Sequence, residues 1–541
     1  MKTIYLHGRV YTGSLPLVQA FAVEGGRFVF AGSDAEALAL AAPGDRQVDL
    51  AGGFVCAGFN DSHMHLLGFG HGLYMAQLHT HTRSLAELLA HLRRYAAGLT
   101  LGPDSWITGR GWNQDYFTDT HRMPTRWDLD TVSTTHPVCI TRACGHCLVV
   151  NSKALALLGV TADTPQPAGG AIGLTDGVPD GRFFDNAMDS VYQAIPAPTR
   201  AELTAMLDAA CRQLNRYGVT SCQTDDYCAF LNVDWREVNA AYRDLEAAGR
   251  MTVRVYEQAN FTSLAALQAF AAAGNTTGVQ RGLFTIGPLK MLGDGALGAR
   301  TALLSRPYAD APDKLGLPVF PQQVLDEMIG WANAHHMQVA VHAIGDGCLD
   351  RVLSAYEKAL AAHPRTDHRH GIVHCQITRP DQLDAIARLG LHVYAQSIFL
   401  DYDPHIVRQR VGDELADTSY SWKTLLDKGV CVSNGSDCPV ELPDVLAGIQ
   451  CAVTRQPLDG SEPPYLPAQA FTVQQALDSY TQWAARGSFD EAVKGRIAPG
   501  MLADFVLLGQ DPFAVDAAAL HRIPVLGTWL AGEQVYAADA P

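Results

Sequence analysis

From about residue 205 to residue 440 the chain alternates short apolar runs with longer amphipathic stretches. Seven runs have strand character: 218–225, 251–256, 284–290, 338–342, 370–374, 391–396 and 430–437. Each follows a segment of helical spacing, such as 201–216, 321–336 or 348–363. An eighth run, Phe54-Val55-Cys56-Ala57, leads directly into Gly58-Phe59-Asn60-Asp61-Ser62-His63-Met64-His65. Eight strand–helix units are the number that closes a (β/α)8 barrel, whose reactive groups sit at the C-terminal ends of its strands. An open doubly wound sheet would carry a glycine-rich phosphate loop after its first strand; here His63 and His65 stand in that place.

Both chain ends have a different texture. Residues 1–57 and 487–541 consist of short strands between glycine turns, for example 3–6, 20–23 and 28–31, then 504–508, 524–530 and 534–536. Neither end can bury a core alone, so the two are expected to pack together as one β-sandwich domain beside a barrel spanning 58–486. Residues 75–200 break the strand–helix rhythm and are rich in Trp, Tyr, Asn, Asp and Pro. A connection of that length after the first barrel strand is expected to be a substructure capping the barrel mouth and shaping its pocket.

Composition narrows the function classes. The chain of 541 residues is long enough for a large core, and a net charge of −16 without any Lys/Arg run argues against a nucleic-acid partner. No stretch approaches the ~20 apolar residues of a membrane span, and the polar start does not read as a signal peptide. Twelve cysteines in a chain this long are expected to be reduced thiols of a cytoplasmic protein. Cys144 and Cys147 have CxxC spacing but no second pair to complete a zinc knuckle; a buried-thiol role outweighs a redox one.

Chemistry-bearing residues recur at the strand ends. His63 and His65, two apart on extended backbone, leave from the same face. Lys290, His342, His374 and Asp437 each end a later strand. Any one of these histidines alone reads as structural, but together on one rigid rim such groups can hold two divalent cations about 3.5–4 Å apart.

With these motifs the sequence resembles the amidohydrolase superfamily of metal-dependent hydrolases, in the amidohydrolase 3 branch that includes YtcJ-like proteins and N-substituted formamide deformylases. The resemblance runs over almost the whole chain. It covers Gly58–His65, Arg110–Tyr116, Gly145-His146 with Asn151-Ser152, Lys290–Gly298, Val341–Asp346, His374-Cys375-Gln376, Gly435–Pro439 and Gly495–Asp504.

The resemblance implies that His63 and His65 hold one metal and that His342 and His374 hold a second. It implies that Lys290, carboxylated on its amine, bridges the two, since an ammonium cannot ligate a cation. Asp437 would touch the centre and act as base. Zinc is the expected metal from the imidazole-rich set, with manganese and iron left open. If Lys290 is instead an unmodified lysine paired with Asp294 or Asp437, a single metal on His63, His65, His342 and Asp437 is expected.

The implied reaction is hydrolysis of a C–N bond in a small molecule, an amide or N-formyl or N-acyl amine. Ester, lactone or cyclic amide hydrolysis, deamination, and a non-catalytic metal-binding barrel are the alternatives. His146, Trp112 and Tyr116 are the substrate-contact candidates, His146 also a catalytic one; for Trp112, core packing has equal standing. Asn113, Asp115, Asp294 and Arg300 are expected to have supporting roles. A homo-oligomer, in the first instance a dimer, is expected.

Overall fold

A computed structural model of the chain describes residues 1–539 other than 103–104, 121, 144 and 168. Eight parallel strands pair in chain order: β1 (Phe59–Met64), β2 (Val219–Thr224), β3 (Arg254–Asn260), β4 (Phe284–Leu292), β5 (Val339–Ala343), β6 (Gly371–His374), β7 (His392–Ala395) and β8 (Val432–Asn434). Every residue of β1, β2, β6, β7 and β8 is buried. Such burial on both faces is typical of a parallel sheet whose outer side is covered.

The ring is brought nearly to closure just beyond β8, where Asp437 N donates to His63 O at 2.8 Å and His65 N donates to Cys438 O at 2.7 Å. Register keeps the strand ends level. Lys290 stands opposite Asn260, His342 opposite Leu292 and Val373, and His374 opposite Ala343.

Two strand expectations shift. The third strand starts at Arg254 rather than Met251 and continues to Asn260, which carries Glu257 to Asn260 toward the C-terminal rim. The run Phe54–Ala57 does not continue into β1; it pairs antiparallel with Phe505–Leu508 in another sheet. The switch happens at Gly58. Its N–H donates to Asp504 O, and a Cβ there would lie 2.2 Å from Thr220 Oγ1, so only glycine lets the chain pass so close to β2.

Strands of both chain ends form two sheets. One contains Arg27–Gly32, Ala20–Glu24, Thr3–Leu6 and Arg46–Asp49; the other contains Arg9–Val10, Phe54–Ala57, Phe505–Leu508, Val525–Leu530 and Glu533–Ala537. Tyr5, Phe21, Phe28, Val55 and Phe505 share one buried cluster, with Phe21 stacked on Tyr5 and Trp529 on Phe505.

The chain divides into two compact units, one of residues 1–66, 210–229 and 242–541, the other of residues 67–209 and 230–241. The barrel strands and both end sheets fall in the first. The second holds a six-stranded sheet that runs Gly170–Thr175, Val178–Asp185, Cys147–Val150, Val138–Arg142, Ile107–Trp112, Ala76–Gln77. Helix Leu85–Ala97 begins at Ser84, whose Oγ accepts Glu87 N, and it buries Leu85, Leu88 and Leu92 in a core with Trp112, Phe117 and Ile140. Among the described residues no helix is long and apolar enough to cross a membrane. Every described cysteine is a free thiol; Cys147 is buried, and Cys144 lies outside the described residues.

Candidate metal centre

Six strand-end residues converge in the first unit. His63 Nε2 lies 3.4 Å and His65 Nε2 3.2 Å from Asp437 Oδ1. The ring centroids of His63 and His65 are 5.3 Å apart, those of His63 and His374 5.7 Å, and those of His374 and His342 4.4 Å. The four imidazoles thus form a continuous row, with Asp437 at one end.

The hydrogen bonds fix which nitrogen of each ring is free. Gln258 Nε2 donates to Ser62 O, which turns Gln258 Oε1 toward His63 and makes His63 Nδ1 the donor at 2.8 Å. Gln396 does the same for His374: its Nε2 donates to Tyr394 O and its Oε1 accepts from His374 Nδ1 at 2.8 Å. His65 Nδ1 faces the main-chain O of Asp225 at 3.1 Å, which can only accept. Around His342 Nε2 stand two acceptors, Gly295 O at 3.2 Å and Asp294 Oδ1 at 3.3 Å, so its hydrogen sits on Nε2 and its lone pair on Nδ1. Imidazoles oriented by carbonyl and carboxylate acceptors on the far nitrogen are the arrangement metal ligation requires. The donor set therefore fits divalent cations on its own chemistry.

Electrostatics agree. Burial pulls the His63 imidazole down to about 4, helped by Lys290, and pulls His374 well below its ordinary value. Burial opposes ionisation of Asp437, but its contacts with the His63 and His65 imidazoles outweigh it and hold the carboxyl well below the usual range. For His65 burial is again the largest influence and acts downward, yet Asp437 and Asp225 lift the ring to about 9. A cation bound at His65 would displace that proton.

The backbone is built for close approach. A Cβ on Gly435 would lie 2.5 Å from His63 N and 2.7 Å from both His63 O and Asp61 Oδ1. Asp61, fully buried, ties β1 to β8 by accepting from Ser436 Oγ at 2.5 Å, Ser436 N at 3.0 Å and His63 N at 3.2 Å. His374, Cys375 and Asp437 all have left-handed φ, at 76°, 53° and 57°. Backbone strain of this kind, of order 1–3 kcal/mol per residue, is held only where surrounding structure over-determines it.

Lys290 corrects the sequence expectation in one respect. Its partner is neither Asp294 nor Asp437; Nζ stands 3.5 Å from Asp225 Oδ2, and both side chains are almost wholly buried. Asp294 instead accepts from Leu303 N, Ile344 N and Gly345 N, pinning the loops after β4 and β5. Asp225, Gln258 and Gln396 were not singled out from the sequence, although Asp225 follows β2 directly and obeys the same strand-end logic as the candidate ligands.

In the second unit, His146 is exposed and its Nδ1 lies 3.1 Å from Asp185 Oδ1. Tyr116 is 67% exposed. Trp112 is 0% exposed and packs in that unit's own core with Nε1 donating to Ile140 O, the position of the core-packing alternative. Asn113 and Asp115 accept from Arg142 at 2.8 and 2.9 Å. Asn151 caps helix Ser152–Leu158 and ties down Ser133 and His136. Arg300, at the edge of the loop after β4, pairs with Asp310.

Against known proteins, the model of the amidohydrolase family matches residues 46–536. The chain belongs to the amidohydrolase family. It is 33% identical to YtcJ of Bacillus subtilis over 91% of each chain. It is 26% identical to the N-substituted formamide deformylase of Arthrobacter pascens over 95% of this chain and 94% of that one. Among solved structures, a metal-dependent hydrolase of Pyrococcus furiosus superposes with a TM-score of 0.78 at 28% identity, covering 95% of this chain and all of that one. Family, fold and donor set agree on a metal-dependent hydrolase.

Proposed function

We propose that this hydrolase cleaves the C–N bond of an amide, specifically an N-formyl or N-acyl amine. The observation that carries the reading is the row of oriented imidazole lone pairs ending on the ionised Asp437 carboxylate. His63 and His65 would hold one zinc ion, His342 and His374 a second, with Lys290 carboxylated as the bridging ligand and Asp437 touching the centre. A divalent cation held there supplies Lewis acidity toward a water and toward the scissile carbonyl. Asp437 accepts the proton of the attacking water as its oxygen bonds to the carbonyl carbon. As the C–N bond breaks, Asp437 returns that proton to the leaving nitrogen, so a carboxylic acid and an amine are the products. Asp61 and Gly435 hold Asp437 against His63, so the base is aimed before substrate arrives. Similarity to the Arthrobacter pascens deformylase over nearly the whole chain supports the substrate class.

The test is turnover of a panel of N-substituted formamides, N-acyl amines, esters and aminopurines by zinc-loaded protein. Asp437→Asn, assayed at saturating zinc, should lower turnover of the preferred substrate by about 10²-fold or more. Turnover confined to esters or aminopurines would overturn the substrate class, and full activity of Asp437→Asn would overturn the base.

A further inference from the structure

The Asp225 carboxylate is fully buried just past the end of β2, and no role in the reaction above requires it. Its acceptors are used in an unequal way. Oδ1 accepts from Cys228 Sγ at 3.3 Å, while Oδ2 accepts from Asn260 Nδ2 at 3.0 Å and faces Lys290 Nζ at 3.5 Å. The main-chain oxygen of the same residue accepts from His65 Nδ1. One residue therefore touches two of the proposed ligands, one through its side chain and one through its backbone.

The geometry points to Asp225 as a positioning residue of the metal centre: its carboxylate accepts the one N–H that Lys290 keeps when carboxylated, while its carbonyl sets the His65 ring. This rests on the modified lysine of the proposed function and adds what holds that group in place. In the modification the lone pair of the neutral Lys290 amine forms an N–C bond with carbon dioxide. The π pair of one C=O moves to oxygen, and one amine proton leaves to solvent. A carbamate retains a single N–H, and in a site this buried that hydrogen needs an acceptor. Asp225 Oδ2 is the acceptor within reach, and Asn260 keeps it from turning away. Two anions side by side, carbamate and Asp225, are tolerated only where cations sit against them, so modification and metal loading are coupled.

Native intact-mass spectrometry and metal analysis of the zinc-loaded protein in bicarbonate test this without reading activity. Wild type should carry about 44 Da extra and two metals per chain. Asp225→Ala should lose the added mass in at least about nine molecules in ten and fall to about one metal. Asp225→Asn should keep both, since its amide oxygen can take the Oδ2 position and its amide nitrogen can face Cys228. Full added mass and two metals in Asp225→Ala would overturn the inference. Loss in Asp225→Asn as complete as in the alanine variant would overturn the acceptor role. Wild type without the added mass would overturn the modified lysine itself, and this inference with it.

Discussion

Gly435→Ala is the sharpest probe of how the fold aims the site. A methyl group there would stand 2.5 Å from His63 N and 2.7 Å from His63 O, backbone atoms of a central strand that cannot rotate away. The remaining neighbour, Asp61 Oδ1 at 2.7 Å, is held by Ser436 N and His63 N. Relief requires β8 to separate from β1, which stretches the Asp437 N to His63 O bond. Overpacking of this kind costs ~1–3 kcal/mol and a weakened buried backbone bond ~1 kcal/mol, so a loss of ~2–4 kcal/mol is expected. Because the displaced segment carries Asp437, metal affinity should fall by about 10-fold or more. Urea unfolding of apo protein and zinc titration by calorimetry measure the two effects. Gly330→Ala is the control: it lies in helix Gln322–Ala334 with open space around it and should stabilise by ~0.5–1 kcal/mol. A Gly435→Ala protein within ~0.5 kcal/mol of wild type and with unchanged zinc affinity would refute the close-approach reasoning.

Three further outcomes are expected. Gln396→Leu removes the acceptor that holds the His374 hydrogen on Nδ1, so zinc affinity should fall ~10–100-fold with little change in secondary structure by circular dichroism. Trp112→Ala should cost ~3–5 kcal/mol, read as a lowered urea midpoint, because the indole fills the core of the second unit; a normal midpoint with a raised KM would restore it as a substrate contact. Asp478, buried against Tyr11 OH, is pushed by burial from 3.8 to about 6. Between those values the folded carboxyl keeps a proton that the unfolded one has lost, so its contribution to stability declines as pH rises through that window. Asp478→Asn should flatten the stability profile from about pH 4 to pH 6, and an unchanged profile would count against the buried acid.

The barrel was legible because each strand is a buried run flanked by helical spacing, and because the metal-ligand candidates fall at the same place in each unit. Spacing says nothing about where one sheet hands over to another. Phe54–Ala57 and Phe59–Met64 read as one strand, and only the absence of a side chain at Gly58, pressed against Thr220, divides them. The residues that orient the ligands were hidden for a different reason. Gln258 and Gln396 act through a single polar atom each and Asp225 through two, reached across strands from 22 to 195 positions away in the chain, and no local pattern marks such atoms. The second unit shows the converse. Its aromatic, proline-rich stretch reads as a binding surface, yet Trp112 and Phe117 are the filling of a core that the same residues also need. Large aromatic side chains remove more apolar area from water than any others, so a folded insertion spends them on its own stability first. The polar strand-end residues face no such competition, because burying them unpaired is costly. That asymmetry is why candidate ligands could be read from sequence more readily than candidate substrate contacts.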